Sequence, residues 1–199
     1  MEKIVDIRPI KKELRKKAKE KRLNMMPEKK DSCDKKICNK LLNLWAVREA
    51  ETVLCYVSTA IEVDTRVFIN TLLSTGKRVA VPRCEGGKSE MNFYYINSLE
   101  ELENGSFGVL EPKSSPENLV GETEKTICIV PAFMFDKEGY RLGYGKGYYD
   151  RYLSRYKGIT IGICYDDDIE NELFRGKYDR AVDMVLTERQ IITANKKEV

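Results

Sequence analysis

The sequence predicts a three-layer α/β/α domain with a mostly parallel central sheet. Residues 52–57, 67–73 and 78–82 read as strand, helix and strand with short connections, which is typical of a βαβ unit and hence of a parallel sheet covered by helices. Residues 127–130 are apolar without alternation, as expected of a central strand buried on both faces. The length of 199 residues favours one compact domain.

The first element is a basic helix over residues 8–22. This stretch holds nine Lys or Arg against two Glu, a charge of +7, whereas the rest of the chain sums to −4. Its apolar residues recur at intervals of four and form one narrow stripe, made of Ile10, Leu14 and Ala18.

The role of this helix stays open at this point. Lys11 and Arg15 share one face, and Arg22 falls near them. The helix could be a solvated surface element docked by its stripe. It could instead present Lys11 and Arg15 to nucleotide phosphates, or lie with its whole basic face along a nucleic-acid backbone.

The later elements follow from changes of period. A helix over 27–45 is expected to pack through Ile37, Leu41 and Leu44, and the helix at 67–73 ends at Gly76. Residues 98–124 lack a sustained period and predict a long surface connection with one helical turn at 98–103. Further strands are expected at 91–96, 126–130, 159–164 and 182–186.

Composition excludes much of enzyme chemistry. The chain has no histidine, so it holds no Ser-His-Asp or Cys-His unit and no histidine ligand or base. Its six cysteines form no CxxC pair, which argues against zinc and a disulfide framework. The carboxylates, lysines, arginines and tyrosines that remain suit phosphate and magnesium. No apolar run is long enough to span a membrane and no secretory signal is evident, so a cytoplasmic protein is expected.

The most informative segment is the glycine-rich stretch at residues 141–151. Gly143, Gly145 and Gly147 alternate with other residues, so a ligand can approach the backbone N–H groups closely. Arg141 and Lys146 add positive charge, and helical spacing from Gly147 to Tyr156 predicts a following helix. The stretch is neither a Walker A loop nor GxGxxG. The alternative is that the stretch is only a tight structural connection. A turn alone, however, does not require two cations, three glycines, two aromatic residues and a carboxylate within eleven residues.

Asp150 has two interpretations. It lies in the first turn of the expected helix, where a carboxylate is stabilising by about 0.3–1 kcal/mol. It could also bind magnesium, which needs only one or two protein carboxylates, with Asp179 or Asp183 as partner. Tyr148 and Tyr149 could be core residues or stacking platforms.

Residues 141–151, preceded by Pro131, Phe133, Asp136 and Gly139, resemble the hallmark segment of the 5-formyltetrahydrofolate cyclo-ligase family. Further similarity lies in the basic helix at Lys11, Leu14 and Arg15, in residues 62–65 after the strand ending at 56–58, and in residues 179–188. The chain departs from the family pattern at 166–168, around Phe174 and at Tyr178.

The resemblance implies one domain over residues 1–199, with a fold related to sugar-phosphate isomerase-like folds. It implies ATP- and Mg²⁺-dependent cyclisation of 5-formyltetrahydrofolate to 5,10-methenyltetrahydrofolate, with release of ADP and phosphate after phosphorylation of the formyl oxygen. That oxygen is itself the nucleophile, so the reaction needs no histidine or serine nucleophile.

The resemblance also implies site residues. The catalytic cations would be Lys146, Arg141 and Arg15, and the metal ligands Asp150 and Asp179. ATP would contact Lys11, Arg15, Arg141, Leu142, Gly143, Tyr144, Gly145, Lys146, Gly147, Tyr148 and Tyr149. The folate would contact Val57, Glu62, Tyr144, Gly145, Lys146, Gly147 and Tyr148.

Two other functions remain as alternatives. One is a non-catalytic anion or nucleic-acid binding protein that uses the basic helix, and it predicts salt-sensitive binding without ATP turnover. The other is a relative of the same fold that acts on a phosphosugar or another small molecule. The preferred function predicts a monomer with only small-molecule partners, and neither nucleic acid nor membrane among them.

Overall fold

The computed structural model describes residues 6–85, 90–121 and 125–194. The α-helices of these residues are α1 (Arg8–Leu23), α2 (Pro27–Asn43), α3 (Trp45–Glu49), α4 (Arg66–Ser74) and α5 (Tyr148–Leu153). The strands are β1 (Thr52–Cys55), β2 (Arg78–Glu85), β3 (Glu90–Ile96), β4 (Glu103–Asn104), β5 (Leu110–Glu111), β6 (Thr126–Pro131), β7 (Met134–Asp136), β8 (Arg141–Leu142), β9 (Ile159–Ile163), β10 (Ile169–Glu170), β11 (Met184–Leu186) and β12 (Ile191–Thr193).

The main sheet has seven strands in the order β12-β11-β9-β6-β1-β2-β3. Its five inner strands are parallel, and each edge strand pairs antiparallel with its neighbour. The predicted βαβ unit is β1, α4 and β2, and β6 is the buried strand predicted at the centre. Because the inner strands run the same way, their carboxyl ends meet at one edge of the sheet.

Helices cover one face of the sheet, and mixed elements cover the other. On the first face α2, α3 and α4 bury Ile37, Val47 and Phe68 against the strands. On the second face α5 and the small sheet β10-β7-β8 bury Leu153 and Phe135. The predicted α/β class with a mostly parallel central sheet is confirmed, although a single short helix and a small sheet form its second outer layer.

Helix α1 lies across this second layer by means of its predicted stripe. Ala18 is 1% exposed and packs with Phe133, Met134 and Leu142, and Leu14 contacts the same cluster. The helix is therefore docked against the segments that follow β6, which places its inward-facing cations near the carboxyl ends of the strands.

Several predicted boundaries were wrong. The helix expected over 27–45 ends at Asn43, because Leu44 takes an extended conformation, with φ −69° and ψ 127°, before α3 begins. The helix expected to continue to Tyr156 ends at Leu153. The connection at 98–121 holds a small hairpin of β4 and β5, and its predicted helical turn is a 3₁₀ turn at Leu99–Glu101.

Parts of two predictions fall on residues 1–5, 122–124 and 195–199, which lie outside the described residues. They are the ends of the single domain expected over 1–199 and the last residues of the 98–124 connection. Of the helices in the described part of the chain, none has the length and apolar character needed to cross a membrane.

The close contact between Gly162 and Phe135 predicts a stability cost for any larger residue at position 162. A Cβ atom there would lie 2.3 Å from the ring of Phe135, which is fully buried between the sheet and its second layer. Replacing Gly162 by alanine should lower the free energy of unfolding by about 1–3 kcal/mol, measured by urea denaturation, because the core is overpacked. Gly143→Ala is the matched control, since its Cβ would meet nothing within 4 Å. Equal stability of the two variants would contradict this packing.

Candidate active site at the carboxyl edge of the sheet

A candidate site lies where the parallel strands end, which is where open α/β sheets bind ligands. Three segments meet there: residues 56–65 after β1, residues 132–133 after β6 and residues 164–168 after β9. The side chain of Arg22 on α1 touches all three, with hydrogen bonds to Ile61, Ala132 and Asp168. We call residues 143–147, between β8 and α5, the glycine turn.

The glycine turn has the open backbone that its sequence predicts. Gly145 and Gly147 have φ of +92° and +70°, a region that side chains rarely adopt. A Cβ at Gly145 would lie 3.2 Å from the guanidinium carbon of Arg15, and a Cβ at Gly147 would lie 2.8 Å from Arg151. The turn therefore favours glycine at both positions for its conformation, and at Gly145 also for the close approach of Arg15.

Helix α1 joins the turn through the two cations expected to meet phosphates. Arg15 Nε donates to the carbonyl oxygen of Gly143 at 2.7 Å, and Lys11 Nζ donates to Asp179 Oδ2. Burial lowers the pKa of Arg15, and the carboxylates of Asp179 and Asp150 oppose that shift. Lys146 lies on the turn itself with an exposed side chain.

Arg141 is an almost fully buried cation of the site. Its side chain is 3% exposed, and it donates to Asp150 Oδ1 at 2.7 Å and to the carbonyl oxygen of Arg180 at 2.8 Å. Burial lowers its pKa, and Asp150 partly offsets this. Leu142, next to it, is buried under α1, so its side chain holds the turn in place.

The two predicted metal ligands lie around the same cations. The negative charges of Asp150 and Asp179 both interact electrostatically with Arg15 and with Arg141. Asp179 Oδ2 accepts from Lys11 and from the Gly176 N–H, the latter at 2.8 Å. The second oxygen of each carboxylate accepts no hydrogen bond from the described part of the chain.

These two carboxylates are too few to hold a metal ion by protein ligands alone, but they suit magnesium. Among the described residues no three His, Cys, Asp or Glu side chains group together as a metal site. Magnesium usually takes one or two carboxylates and completes its shell with water and substrate phosphates, so two free carboxylate oxygens beside a phosphate-binding turn suit it. Asp183, the other candidate, accepts from Thr160 N–H at 2.8 Å and lies at the opposite ends of the strands.

Glu62, the expected folate acceptor, lies further along α1, beside Arg22 near the carboxyl end of the helix. Glu62 is 7% exposed, and its Oε2 accepts from the N–H and the hydroxyl of Thr59 at 2.7 and 2.8 Å. The ring of Tyr144 packs on Phe133, with centroids 4.6 Å apart. Burial and the nearby Glu62 raise the pKa of Tyr144, whose hydroxyl faces that carboxylate. The turn and Glu62 therefore meet through Tyr144.

Three further predicted contact residues sit at the margins of the site. Val57 is 3% exposed and packs in the core between the sheet and its helices. Tyr148 and Tyr149 begin α5, directly after the glycine turn, and pack on the second core cluster. The Tyr149 hydroxyl is buried without a hydrogen-bond partner among the described residues. Such a group is costly to leave unpaired, so it is available to a ligand.

Arg22 and Asp168 are the principal groups that sequence reasoning missed. Their side chains are 2% and 1% exposed and pair at 3.2 Å. Asp168 belongs to the acidic run 166–168, a departure from the family pattern, which forms a 3₁₀ turn after β9. The sequence does contain an indication that Arg22 is buried. Arg22 continues the four-residue spacing of Leu14 and Ala18 in the apolar stripe of α1, at a position where an apolar residue is expected.

A second cleft lies at the amino ends of the strands. This cavity of about 810 Å³ is bordered by Trp45, Phe93 and Tyr152. None of the predicted site residues borders it. Its lining mixes aromatic and aliphatic side chains with Lys125, Arg155 and Lys157. The glycine turn, the buried cations and the two paired carboxylates converge instead at the carboxyl edge, where open α/β sheets bind ligands, and we therefore place the active site there.

Comparison with known proteins gives one consistent family. A model of the 5-formyltetrahydrofolate cyclo-ligase family matches residues 7–188. A Schizosaccharomyces pombe protein named as a probable 5-formyltetrahydrofolate cyclo-ligase is 29% identical over 177 residues, covering 81% of this chain and 87% of that protein. The NMR structure of Aquifex aeolicus 5,10-methenyltetrahydrofolate synthetase has a TM-score of 0.82 at 32% identity, covering 96% of this chain and 95% of that one. A Mycoplasma pneumoniae synthetase structure shares the fold, with a TM-score of 0.71 at 24% identity, covering 89% of this chain and 98% of that one.

The burial of Arg141 predicts that the ligand-free protein depends on Asp150 for stability. Asp150→Asn removes the charge that compensates this guanidinium, and the free energy of unfolding should fall by about 2 kcal/mol in chemical denaturation. Asp167→Asn is the control, because Asp167 pairs with Lys29 where both side chains are substantially exposed. That variant should lose less than about 1 kcal/mol. Equal losses in the two variants would show that Arg141 does not need this partner.

Proposed function

Because the chain belongs to the 5-formyltetrahydrofolate cyclo-ligase family, and is therefore an enzyme, we propose that it closes 5-formyltetrahydrofolate to 5,10-methenyltetrahydrofolate with ATP and Mg²⁺. The observation that carries this proposal is the meeting of α1, the glycine turn and Glu62 at one edge of the sheet. A phosphate-binding group and an acceptor for a pterin would then lie at successive positions along the same face of that helix.

The reaction needs activation of an oxygen that leaves poorly. The formyl oxygen attacks the γ-phosphorus of ATP, forming an O–P bond as the bond to ADP breaks. Nitrogen 10 then attacks the formyl carbon and loses its proton. The C–O bond breaks, phosphate departs with the former formyl oxygen, and the methenyl bridge remains. The protein must place the reactants in line and neutralise charge on the transferring group.

The glycine turn and its cations are suited to hold the triphosphate. Open backbone at Gly145 and Gly147 lets phosphate oxygens approach N–H groups, and Arg15 already lies against that backbone. Lys146 projects from the turn as an exposed cation and is assigned to the transferred phosphoryl group. Lys11 and Arg141 complete the positive surroundings.

Asp150 and Asp179 are the residues that would hold magnesium. Their second oxygens point to no donor of the described chain, and both already lie among the cations of the phosphate site. When bound, Mg²⁺ would supply neutralisation of triphosphate charge. Arg141 would orient the Asp150 carboxylate toward that position, and Lys11 would orient that of Asp179.

Glu62 is suited to the folate. The Glu62 carboxylate, fixed by Thr59, would accept hydrogen bonds from the amino and ring N–H groups of the pterin. A phosphosugar would have no use for the buried acceptor at Glu62, so the folate is the better substrate for this site.

The nucleic-acid alternative is less well supported, because three cations of the basic helix are already engaged in contacts within the protein. Lys11, Arg15 and Arg22 all bind groups of the same chain. The monomeric state, the cytoplasmic location and the absence of nucleic-acid and membrane partners stay predictions.

One assay tests the proposed function. Purified protein, ATP, Mg²⁺ and 5-formyltetrahydrofolate are mixed, and the ultraviolet band of the methenyl product is followed, with ATP omitted as the control. Product that forms only when ATP is present supports the proposal. Absence of product, together with salt-sensitive binding of nucleic acid, would favour the alternative instead.

Lys146→Ala should lower kcat by about 100-fold, because a donor to the transferring phosphoryl group is lost. The exposed position of Lys146 predicts an unchanged melting temperature. Lys12→Ala, on the exposed side of α1, is a control of equal charge that should keep its activity. Turnover of Lys146→Ala at the wild-type rate would refute this role of the lysine.

Glu62→Gln should raise KM for 5-formyltetrahydrofolate by about 10-fold or more and leave KM for ATP nearly unchanged. The amide keeps an oxygen for Thr59 but removes the negative charge that favours the pterin donors. Steady-state kinetics with each substrate varied separately give the two constants. Glu49→Gln, on the exposed surface of α3, should match the wild type. A larger rise in KM for ATP than in KM for folate would contradict the assignment.

A further inference from the structure

We infer that Arg22 is a positioning residue that fixes the folate acceptor Glu62 relative to the glycine turn. The inference rests on the proposed function, because it concerns the two halves of that site. Arg22 itself is 6% exposed and would touch neither substrate.

The guanidinium of Arg22 joins α1 to three separate segments. Its Nε donates to Asp168 at 3.2 Å, and one terminal nitrogen donates to the carbonyl oxygen of Ile61 at 3.3 Å. The other terminal nitrogen donates to the carbonyl oxygens of Ala132 and Phe133 at 2.8 and 2.7 Å. All of these groups lie just beyond the carboxyl ends of β1, β6 and β9, where the strands no longer hold the backbone.

On the folate side, these contacts fix the peptide that carries Glu62. Arg22 holds the preceding carbonyl group, that of Ile61. The Tyr165 hydroxyl donates to Asp34 at 2.8 Å and lies 3.3 Å from the carbonyl oxygen of Glu62. The guanidinium carbon of Arg22 lies 5.4 Å from the Tyr165 ring centroid, so the two supports of this peptide also contact each other.

On the turn side, the contact passes through Phe133. Arg22 binds its carbonyl oxygen, and the guanidinium carbon lies 5.4 Å from its ring centroid. That ring packs on Tyr144 of the glycine turn, with centroids 4.6 Å apart. Arg22 therefore links Glu62 to Phe133, the residue that supports Tyr144 of the glycine turn. Loss of its contacts would allow Glu62 and the glycine turn to move independently of each other.

The chemistry of arginine explains why this residue stands here. Its planar fork presents five N–H donors in fixed directions, whereas a lysine presents three donors from a single point and cannot hold three segments together. A buried ion pair such as Arg22 with Asp168 contributes little net stability compared with apolar packing. Its value to the protein therefore lies in geometry.

Arg22→Lys tests the inference in the full-length enzyme. Because misplacement by about 1 Å can cost about 100-fold in rate, kcat/KM for 5-formyltetrahydrofolate should fall by about 10- to 100-fold. The dissociation constant of that folate, measured by calorimetry without ATP, should rise, while KM for ATP should change less than about 3-fold, since Lys11, Arg15 and Arg141 keep their contacts. A purely structural role would lower the melting temperature and leave the folded fraction with wild-type constants.

Lys21→Gln is the matched control. Lys21 is the neighbouring cation on α1 and binds the same carboxylate, Asp168, at 2.6 Å, but none of the three carbonyl groups. This variant should keep both Michaelis constants. A folate KM raised as much as in Arg22→Lys would show that the charge around Asp168 matters and the carbonyl contacts do not, which would overturn the inference.

Tyr165→Phe keeps the test decisive if Arg22→Lys does not fold. It removes the hydroxyl that donates to Asp34 and lies 3.3 Å from the carbonyl oxygen of Glu62, and it should weaken folate binding selectively, by less than Arg22→Lys. Folate constants within about 2-fold of the wild type in every folded variant would overturn the inference alone. If the wild type itself neither binds nor converts 5-formyltetrahydrofolate, the proposed function fails, and the inference fails with it.

Discussion

The docking of α1 through its cations is the interaction on which the candidate site depends. Parallel strands end together and leave unpaired carbonyl groups and loops at one edge, and Arg22, Arg15 and Lys11 bind these groups from one side of a single helix. The apolar stripe alone buries little, since Ala18 is its only fully buried member. Hydrogen bonds to carbonyl oxygens and carboxylates therefore determine where the helix lies, and with it the positions of the glycine turn and Glu62.

The charges of the candidate site are partly balanced within the protein itself. Lys11, Arg15, Arg141 and Lys146 outnumber Asp150 and Asp179, so the site keeps a positive charge that favours a triphosphate. Burying Arg141 without a counter-ion would be costly, and Asp150 supplies one before any substrate binds. The carboxylates thus serve the free protein as partners of cations, and under the proposed function they would serve the complex as ligands of magnesium.

Much of this arrangement could be predicted from the sequence. The remaining elements and contacts could not, for physical reasons that differ between them. Strands β1, β6 and β9 were predicted from short β-prone runs, and the lack of alternation at residues 127–130 placed β6 at the centre of the sheet. The glycine spacing likewise indicated an open turn before any contact was known. Strands such as β8 and β10 are too short to show a period, and their pairing depends on distant chain segments. Arg22 reads as one charge in a basic run, because its burial arises only when three separate loops come together.

The central claim is that phosphates bind the glycine turn under α1, at the carboxyl edge of the sheet. A crystal structure with Mg²⁺ and a non-hydrolysable ATP analogue tests it most directly. The account predicts phosphate density within hydrogen-bond distance of the N–H groups of residues 143–147, with the metal against Asp150 and Asp179. Nucleotide density in the cleft between Trp45 and Tyr152 at the amino ends of the strands, and none at the glycine turn, would contradict it.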